Sequence, residues 1–257
     1  MLLEIDVSLD YVLSAPADVL LAIEVAEAAG QTIESADLDL GGADARTLPG
    51  AAGFGTRRWL HAEDALRATY QARVRVDRPV PDLSELAGVP PRDLDGPSSD
   101  MLMASRYCPS DRFEAFVAAE FPGLAGGPLV AAIRDWTHDH LTYTSGASNA
   151  ATTALETFVE RRGICRDYAH VVIAMARAGG VPARMAAVYA PHVDPPDFHA
   201  VAEVWLDGAW HLVDATGMAG ADEIALIGVG RDAAEVAFLT AYGMLELRDQ
   251  TVAVTVA

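Results

Sequence analysis

The amino-acid sequence predicts an α+β protein: a β-sandwich-like N-terminal domain, then a domain of helices packed on an antiparallel sheet. Up to about Pro79 the chain consists of short β-like runs, some of which alternate polar and apolar residues, as in Tyr70–Val76. After Pro109 the apolar residues recur with a helical period of about 3.6. Pro, Gly, Asp and Ser are concentrated between Pro79 and Pro109, which is typical of a linker. The 257 residues are therefore divided into a β-rich domain with its linker, 1–105, and a second domain of helices and strands, 106–257.

In the first domain we expect strands over Leu2–Leu9 and Thr32–Leu40. The segment Leu20–Ala29 fits a helix or a strand equally well by propensity.

Three helices are expected in the second domain. Gly127-Pro128 opens the first, because proline suits the first helical position. Thr153 and Glu156 form a capping box for the second, which Gly163 is expected to close. The third begins near Cys165 and ends at Gly179-Gly180, and its apolar residues surround it almost completely, which predicts burial.

Strands are expected next over Ala183–Tyr189, His199–Leu206 and Trp210–Asp214, with Asp207-Gly208 as the turn of a hairpin. In that register Val201 lies opposite Asp214, so His199 is a diagonal neighbour of Asp214, close enough for a hydrogen bond. Glu203, Trp205, Trp210 and Leu212 share this face. We expect the face to point toward the packed helix.

Cys165, at a helix N-terminus, is favoured as a thiolate nucleophile by free backbone N–H groups and the helix dipole. An ordinary buried cysteine is the alternative. A histidine held by an aspartate is the base that a nucleophilic thiol requires. Cys165, His199 and Asp214 are therefore the predicted catalytic triad.

Four segments carry a resemblance to a known family: Arg162–His170, Gly180–Arg184, Phe198–Trp205 and Trp210–Thr216. They resemble the transglutaminase-like superfamily, in particular its bacterial cysteine-protease-like members, whose triad has the same order. The resemblance implies a papain-like catalytic domain with Cys165 as nucleophile, His199 as base and Asp214 as its orienting group. Val201 stands where the family often has Trp, and Ala215 where many members have Pro.

The implied activity is hydrolysis or transfer of a peptide or protein amide, with proteolysis favoured over crosslinking. Two alternatives stay open: a binding module with little or no turnover, and an acyl transferase of the arylamine N-acetyltransferase type. The Cys165 backbone N–H is the expected first oxyanion donor, and Tyr143 and Asn149 are candidates for the second.

The charge of −19, with every cation an arginine, argues against binding to nucleic acid or to an anionic membrane. Two cysteines and the absence of a signal-like start predict a cytoplasmic protein. No cofactor is expected, and no metal, since His138 and His140 point apart on a helix. Cys108 is interpreted as a packing residue. Arg184 is either a structural ion pair or a site for a substrate carboxylate.

Overall fold

The structure is a computed structural model that describes residues 1–257. It confirms an α+β fold with predominantly antiparallel sheets. None of its helices has the length and apolar composition needed to cross a bilayer. The strands are β1 Leu2–Leu13, β2 Ala17–Leu21, β3 Gln31–Asp39, β4 Ala45–Pro49, β5 Thr56–Ala62, β6 Ala65–Val76, β7 Thr142–Tyr143, β8 Arg162–Gly163, β9 Ala183–Tyr189, β10 His199–Leu206, β11 Ala209–Val213, β12 Ala225–Gly230, β13 Leu239–Tyr242 and β14 Leu245–Val256. The helices are α1 Gly96–Asp100, α2 Glu114–Glu120, α3 Gly126–His140, α4 Ala154–Glu160, α5 Cys165–Ala178 and α6 Ala233–Val236.

Two four-stranded sheets form the β-sandwich. Their strand orders are β14-β1-β6-β3 and β13-β2-β5-β4. Strand β6 alternates exposed and buried residues along its whole length, as a strand with one solvated face does. The buried faces of both sheets share one core, which includes Val7, Val19, Leu60 and Val252. The ambiguous segment Leu20–Ala29 is the end of strand β2 followed by a loop.

The predicted domain boundary is wrong at the C-terminal end. Strand β14 pairs with β1 from Leu3↔Val256 to Leu13↔Leu245, and β13 pairs with β2. The last two strands therefore complete the sandwich instead of belonging to the second domain. The misassignment has a physical reason: strand pairing joins residues far apart in sequence, and alternation alone does not say which sheet a strand enters.

The predicted linker is packed and not free. Leu83 lies in the core of the second domain, and the Gly127 N–H donates to the Leu86 carbonyl at 3.0 Å. The same segment also touches the sheet of that domain, because the Asp207 N–H donates to the Ala87 carbonyl at 3.0 Å.

The second domain places the buried helix α5 against a four-stranded sheet of order β11-β10-β9-β12. Helix α5 begins at Cys165 and stops before Gly179, as predicted. The capping box of Thr153 and Glu156 is present at the start of α4. That helix ends earlier than expected, because Arg161 and not Gly163 adopts the left-handed conformation, with φ 57°.

Candidate active site

The hairpin of β10 and β11 has the predicted register, from Leu206↔Ala209 to Ala202↔Val213. Beyond the last pair, Asp214 leaves the strand and its Oδ2 lies 2.9 Å from Nε2 of His199. The His199 side chain has 0% of its surface exposed and that of Asp214 has 3%. The two side chains therefore form a hydrogen-bonded pair shielded from solvent, at the open end of the hairpin.

Asp214 is fixed by three donors besides His199. Its Oδ1 accepts from the backbone N–H and the hydroxyl of Thr216, at 2.8 and 2.7 Å, and its Oδ2 accepts from the Ala219 N–H at 3.0 Å. Burial opposes ionisation of this carboxyl, but the hydrogen bonds and charge of His199 and the bonds from Thr216 keep its pKa below the usual range. The pair is thus set up as a carboxylate that holds an imidazole in one orientation.

The other ring nitrogen of His199, Nδ1, is buried and makes no hydrogen bond within the chain. Burial disfavours the charged ring, yet interactions with Asp214 and with the Cys165 thiol outweigh this and raise the pKa of His199 to about 9. Helix α5 packs on strand β10, and Cys165 and His199 are the first residues of these two elements. The structure brings Cys165, His199 and Asp214 together.

Cys165 is the first residue of α5, where backbone N–H groups have no acceptor within the helix. Asp167 shapes the turn before it, because its Oδ2 accepts the Ile164 N–H at 2.9 Å and its Oδ1 pairs with Arg166 at 2.9 Å. A Cβ on Gly163 would lie 2.6 Å from Cβ of Asp167. Only glycine therefore fits at the entry to this helix.

Tyr143 is carried to the same place by a short parallel pairing of β7 and β8, in which it lies opposite Gly163. The Thr144 N–H donates to the Gly163 carbonyl at 2.9 Å. Burial, and next the charge of Cys165, raise the pKa of Tyr143 to about 12. Tyr143 thus keeps its proton near Cys165, whereas Asn149 is exposed and its Oδ1 serves a turn by accepting the Ala151 N–H.

The sequence predicts that the hairpin face carrying His199 packs on the helix. This prediction is wrong for the other residues of that face, because the opposite face packs on α5. The residues that share a core with α5 are Ala202, Val204, Leu206 and Val213, while Val201 and Leu212 belong to a separate cluster. The small and aliphatic side chains fit the helix, whereas the other face carries bulkier groups. His199 reaches the start of α5 because it is the first residue of its strand.

Arg184 makes a structural ion pair. Its Nε lies 2.7 Å from Oε2 of Glu203, and both side chains are largely buried. Its guanidinium also lies 4.0 Å from the ring centroid of Trp210, a cation–π arrangement. These contacts explain how Glu203 is tolerated in the sheet.

The remaining candidates have ordinary structural roles. Nδ1 of His138 lies 3.2 Å from the Ala215 carbonyl, and Nδ1 of His140 lies 2.8 Å from the Trp136 carbonyl. Cys108 is fully buried, and burial raises the pKa of its thiol to about 12. Cys108 is therefore a packing residue held as a neutral thiol.

The fold and the clustered thiol, imidazole and carboxylate define the class of papain-like α+β proteins with a Cys-His-Asp constellation. Residues 124–215 match the model of the transglutaminase-like superfamily. The chain belongs to this superfamily.

A solved structure from Cytophaga hutchinsonii, described as a "Putative Cysteine Protease", is similar over nearly the whole chain. It is 32% identical, with 99% of this chain and 90% of that chain covered, at a TM-score of 0.94. An uncharacterized protein of Mycobacterium leprae is 29% identical over 117 residues, 42% of each chain. One of Mycobacterium tuberculosis is 30% identical over 145 residues, 49% of this chain and 46% of that protein. The chain thus spans less than half the length of these mycobacterial relatives.

Proposed function

We propose that the protein is a cysteine-nucleophile enzyme that cleaves peptide or protein amides through Cys165, His199 and Asp214. The observation that carries the proposal is the shielded pair of His199 and Asp214, 2.9 Å apart, beside a thiol at a helix N-terminus. A buried histidine with one nitrogen held by a carboxylate and the other unpartnered has the arrangement of a proton donor and acceptor.

The first half of the reaction forms a thioester. The Cys165 sulfur attacks the amide carbonyl, the carbon–nitrogen bond breaks, and the proton on His199 passes to the leaving amine. The backbone N–H of Cys165 stabilises the negative oxygen that develops on the carbonyl. A ring with a pKa of about 9 carries that proton at neutral pH.

The second half releases the acyl group. His199 takes a proton from water, the resulting hydroxide attacks the thioester carbonyl, and the carbon–sulfur bond breaks to give a carboxylic acid and the free sulfur. An amine in place of water gives acyl transfer. Hydrolysis is favoured by the likeness to the Cytophaga hutchinsonii protein, and the chain has no lysine with which to crosslink itself.

The protein supplies its own control for a test of the nucleophile. Iodoacetamide at neutral pH is expected to alkylate Cys165 and leave Cys108 unmodified, since burial raises the pKa of the latter thiol to about 12. We expect His199→Ala to slow the alkylation of Cys165 by about tenfold or more. His211→Ala is the matched control: it removes an imidazole from the same hairpin that binds only the Leu206 carbonyl, at 3.1 Å.

Two results separate the proposed enzyme from the alternatives. Slow and equal labelling of both cysteines would contradict a nucleophilic role and favour a binding module. Mass spectrometry of a peptide library incubated with the protein distinguishes the reactions: hydrolysis adds water across a backbone amide, whereas transfer releases an amine or ammonia and forms a new amide.

A further inference from the structure

A short loop lies against the end of α5 that carries Cys165. This loop, residues 144–150, leads from β7 toward α4. We propose that Arg166 holds the 144–150 loop across the approach to Cys165, and that the loop restricts the site to slender acyl groups, such as those of an extended, unfolded peptide segment. This proposal rests on the proposed function and names the class of substrate that the site admits.

Arg166 ties the middle of the loop to the helix. Its Nη2 donates to Oγ of Ser148 at 3.1 Å and to the carbonyl oxygen of Asn149 at 3.0 Å. The same guanidinium pairs at 2.9 Å with Oδ1 of Asp167, whose side chain is fully buried. The loop is therefore joined to the residue that follows Cys165, through an arginine whose own position is fixed by a buried carboxylate.

Further contacts hold the two ends of the loop. At its start, the Thr144 N–H donates to the Gly163 carbonyl at 2.9 Å. At its end, the Tyr107 hydroxyl donates to the Ala150 carbonyl at 2.7 Å. The ring of Tyr107 in turn stacks on the ring of His170 in α5, with 5.2 Å between the centroids. The loop is thus fixed at both ends and in the middle to α5 or to the turn before it.

The order of these contacts places the path of the loop beside Cys165. The ring of Tyr143, just before the loop, lies 6.1 Å from the ring of Tyr168. At about 100° per residue, Tyr168 lies about 60° to one side of Cys165 around the helix axis. Arg166 and His170 lie about 100° and 140° to the other side. Successive parts of the loop therefore meet α5 first on one side of Cys165 and then on the other.

The site that the loop borders is narrow. Cys165 exposes 8% of its surface, and the side chains of His199 and Asp214 expose 0% and 3%. An acyl group must pass the loop to reach the sulfur. A loop held in place therefore admits a slender chain and excludes a broad or folded one, whereas a released loop discriminates less.

Thiol reagents of one chemistry and two widths test the proposal without a known substrate. N-ethylmaleimide and N-(1-pyrenyl)maleimide are both neutral. In each, the Cys165 sulfur adds to one carbon of the double bond and the other carbon takes up a proton. The rate constant for the pyrenyl reagent divided by that for the ethyl reagent measures access, because a change in thiolate content cancels in this ratio. Peptide mass spectrometry assigns the adducts to Cys165.

Three variants release the loop. Arg166→Gln removes the guanidinium that ties its middle, and we expect the ratio to rise about fivefold. Arg166→Lys keeps the positive charge but not the fork of donors, so the ratio should rise nearly as much. Tyr107→Phe loses the hydrogen bond to Ala150 and keeps the stacked ring, and we expect a rise of about twofold.

Arg162→Gln is the matched control, because it removes an exposed arginine close to the same helix that pairs with Glu160. An unchanged ratio in a folded Arg166→Gln would overturn the proposal. If neither Arg166 variant folds, an unchanged ratio in Tyr107→Phe would do so. An equal rise in Arg162→Gln would also overturn it, since the loss of any nearby arginine would then have the same effect.

The proposed function fails on a different measurement. It is rejected if His199→Ala does not slow the reaction of Cys165 with N-ethylmaleimide, whereas the role of Arg166 is rejected by the ratio of the two reagents.

Discussion

The imidazole of His199 and the carboxylate of Asp214 meet at 2.9 Å, although they are 15 residues apart in the chain. The hairpin between them supplies the geometry, because its two-residue turn at Asp207-Gly208 sets the register of every pair up to Ala202↔Val213. The pair lies at the end of the sheet nearest the start of α5. The hairpin of β10 and β11 thus positions two of the three proposed triad residues, His199 and Asp214. The third, Cys165, lies at the start of α5.

Removing the Asp214 charge is expected to lower the pKa of His199. Burial alone lowers this pKa, whereas the hydrogen bond and charge of Asp214, together with the interaction with the Cys165 thiol, raise it to about 9. In Asp214→Asn the ring should lose its proton at a lower pH, while the side chain keeps nearly the same volume. NMR titration of the His199 ring protons measures both midpoints, and a wild-type midpoint at or below 6.5, the ordinary value, would contradict the assignment.

The same shift predicts how stability depends on pH. Because the folded pKa of His199 exceeds its ordinary value of 6.5, the folded state binds the proton more tightly than the unfolded state. The resulting stabilisation is fully present below pH 6.5 and is lost as the pH rises through about 9. Urea denaturation at several pH values between 6.5 and about 9 should show that the free energy of unfolding declines as the pH rises. The decline should be smaller in His199→Gln.

Gly163→Ala is expected to disturb the start of α5. The added methyl group would lie 2.6 Å from Cβ of Asp167, so the turn that presents Cys165 must shift. Overpacking of this kind costs about 1–3 kcal/mol. Thermal denaturation measures that loss, and alkylation of Cys165 by iodoacetamide should slow at a temperature where the variant is folded. Gly96→Ala controls for the general effect of a methyl group, because the added Cβ meets no atom within 4 Å and the backbone is not in the left-handed region.

Arg177→Met is expected to destabilise the second domain. This buried guanidinium donates to the carbonyls of Ala183, Met103 and Arg231 at 2.9, 3.0 and 2.6 Å. Methionine fills much of the space but leaves these acceptors without donors, which costs about 3 kcal/mol. Chemical denaturation measures the change in the free energy of unfolding. A loss below about 1 kcal/mol would show that water replaces the guanidinium as the donor to these carbonyls. Arg112→Met, at an exposed position, is the control.

Truncation after residue 238 removes strands β13 and β14. We expect this truncation to prevent folding of the sandwich. Strand β14 covers one edge of β1 over nearly its whole length, and Val252 is buried in the sandwich core. Without these strands β1 presents an unpaired edge, which promotes aggregation. Soluble yield and circular dichroism of residues 1–238 test this. A truncated protein with native circular dichroism would show that the last strands are dispensable.

The sequence by itself determined the local parts of this protein. The hairpin register followed from Asp207-Gly208, the limits of α5 from Cys165 and Gly179-Gly180, and the start of α4 from its capping box, since each depends on contacts between residues close in the chain. The proposed triad of Cys165, His199 and Asp214 was also a prediction from the sequence, which rested on the helix start, the hairpin register and the resemblance to the superfamily.

Only the tertiary structure decided which surfaces meet. Strand β14 joins the sandwich, the helix packs on Ala202 and Val204 instead of the Glu203 face, and Gln250 holds Asp197 from the other end of the chain. These contacts join residues that are far apart in sequence, and an alternating strand is compatible with either face and with several neighbours. Burial in the complete fold selects among these arrangements, because it is the sum of many weak contacts that no local pattern encodes.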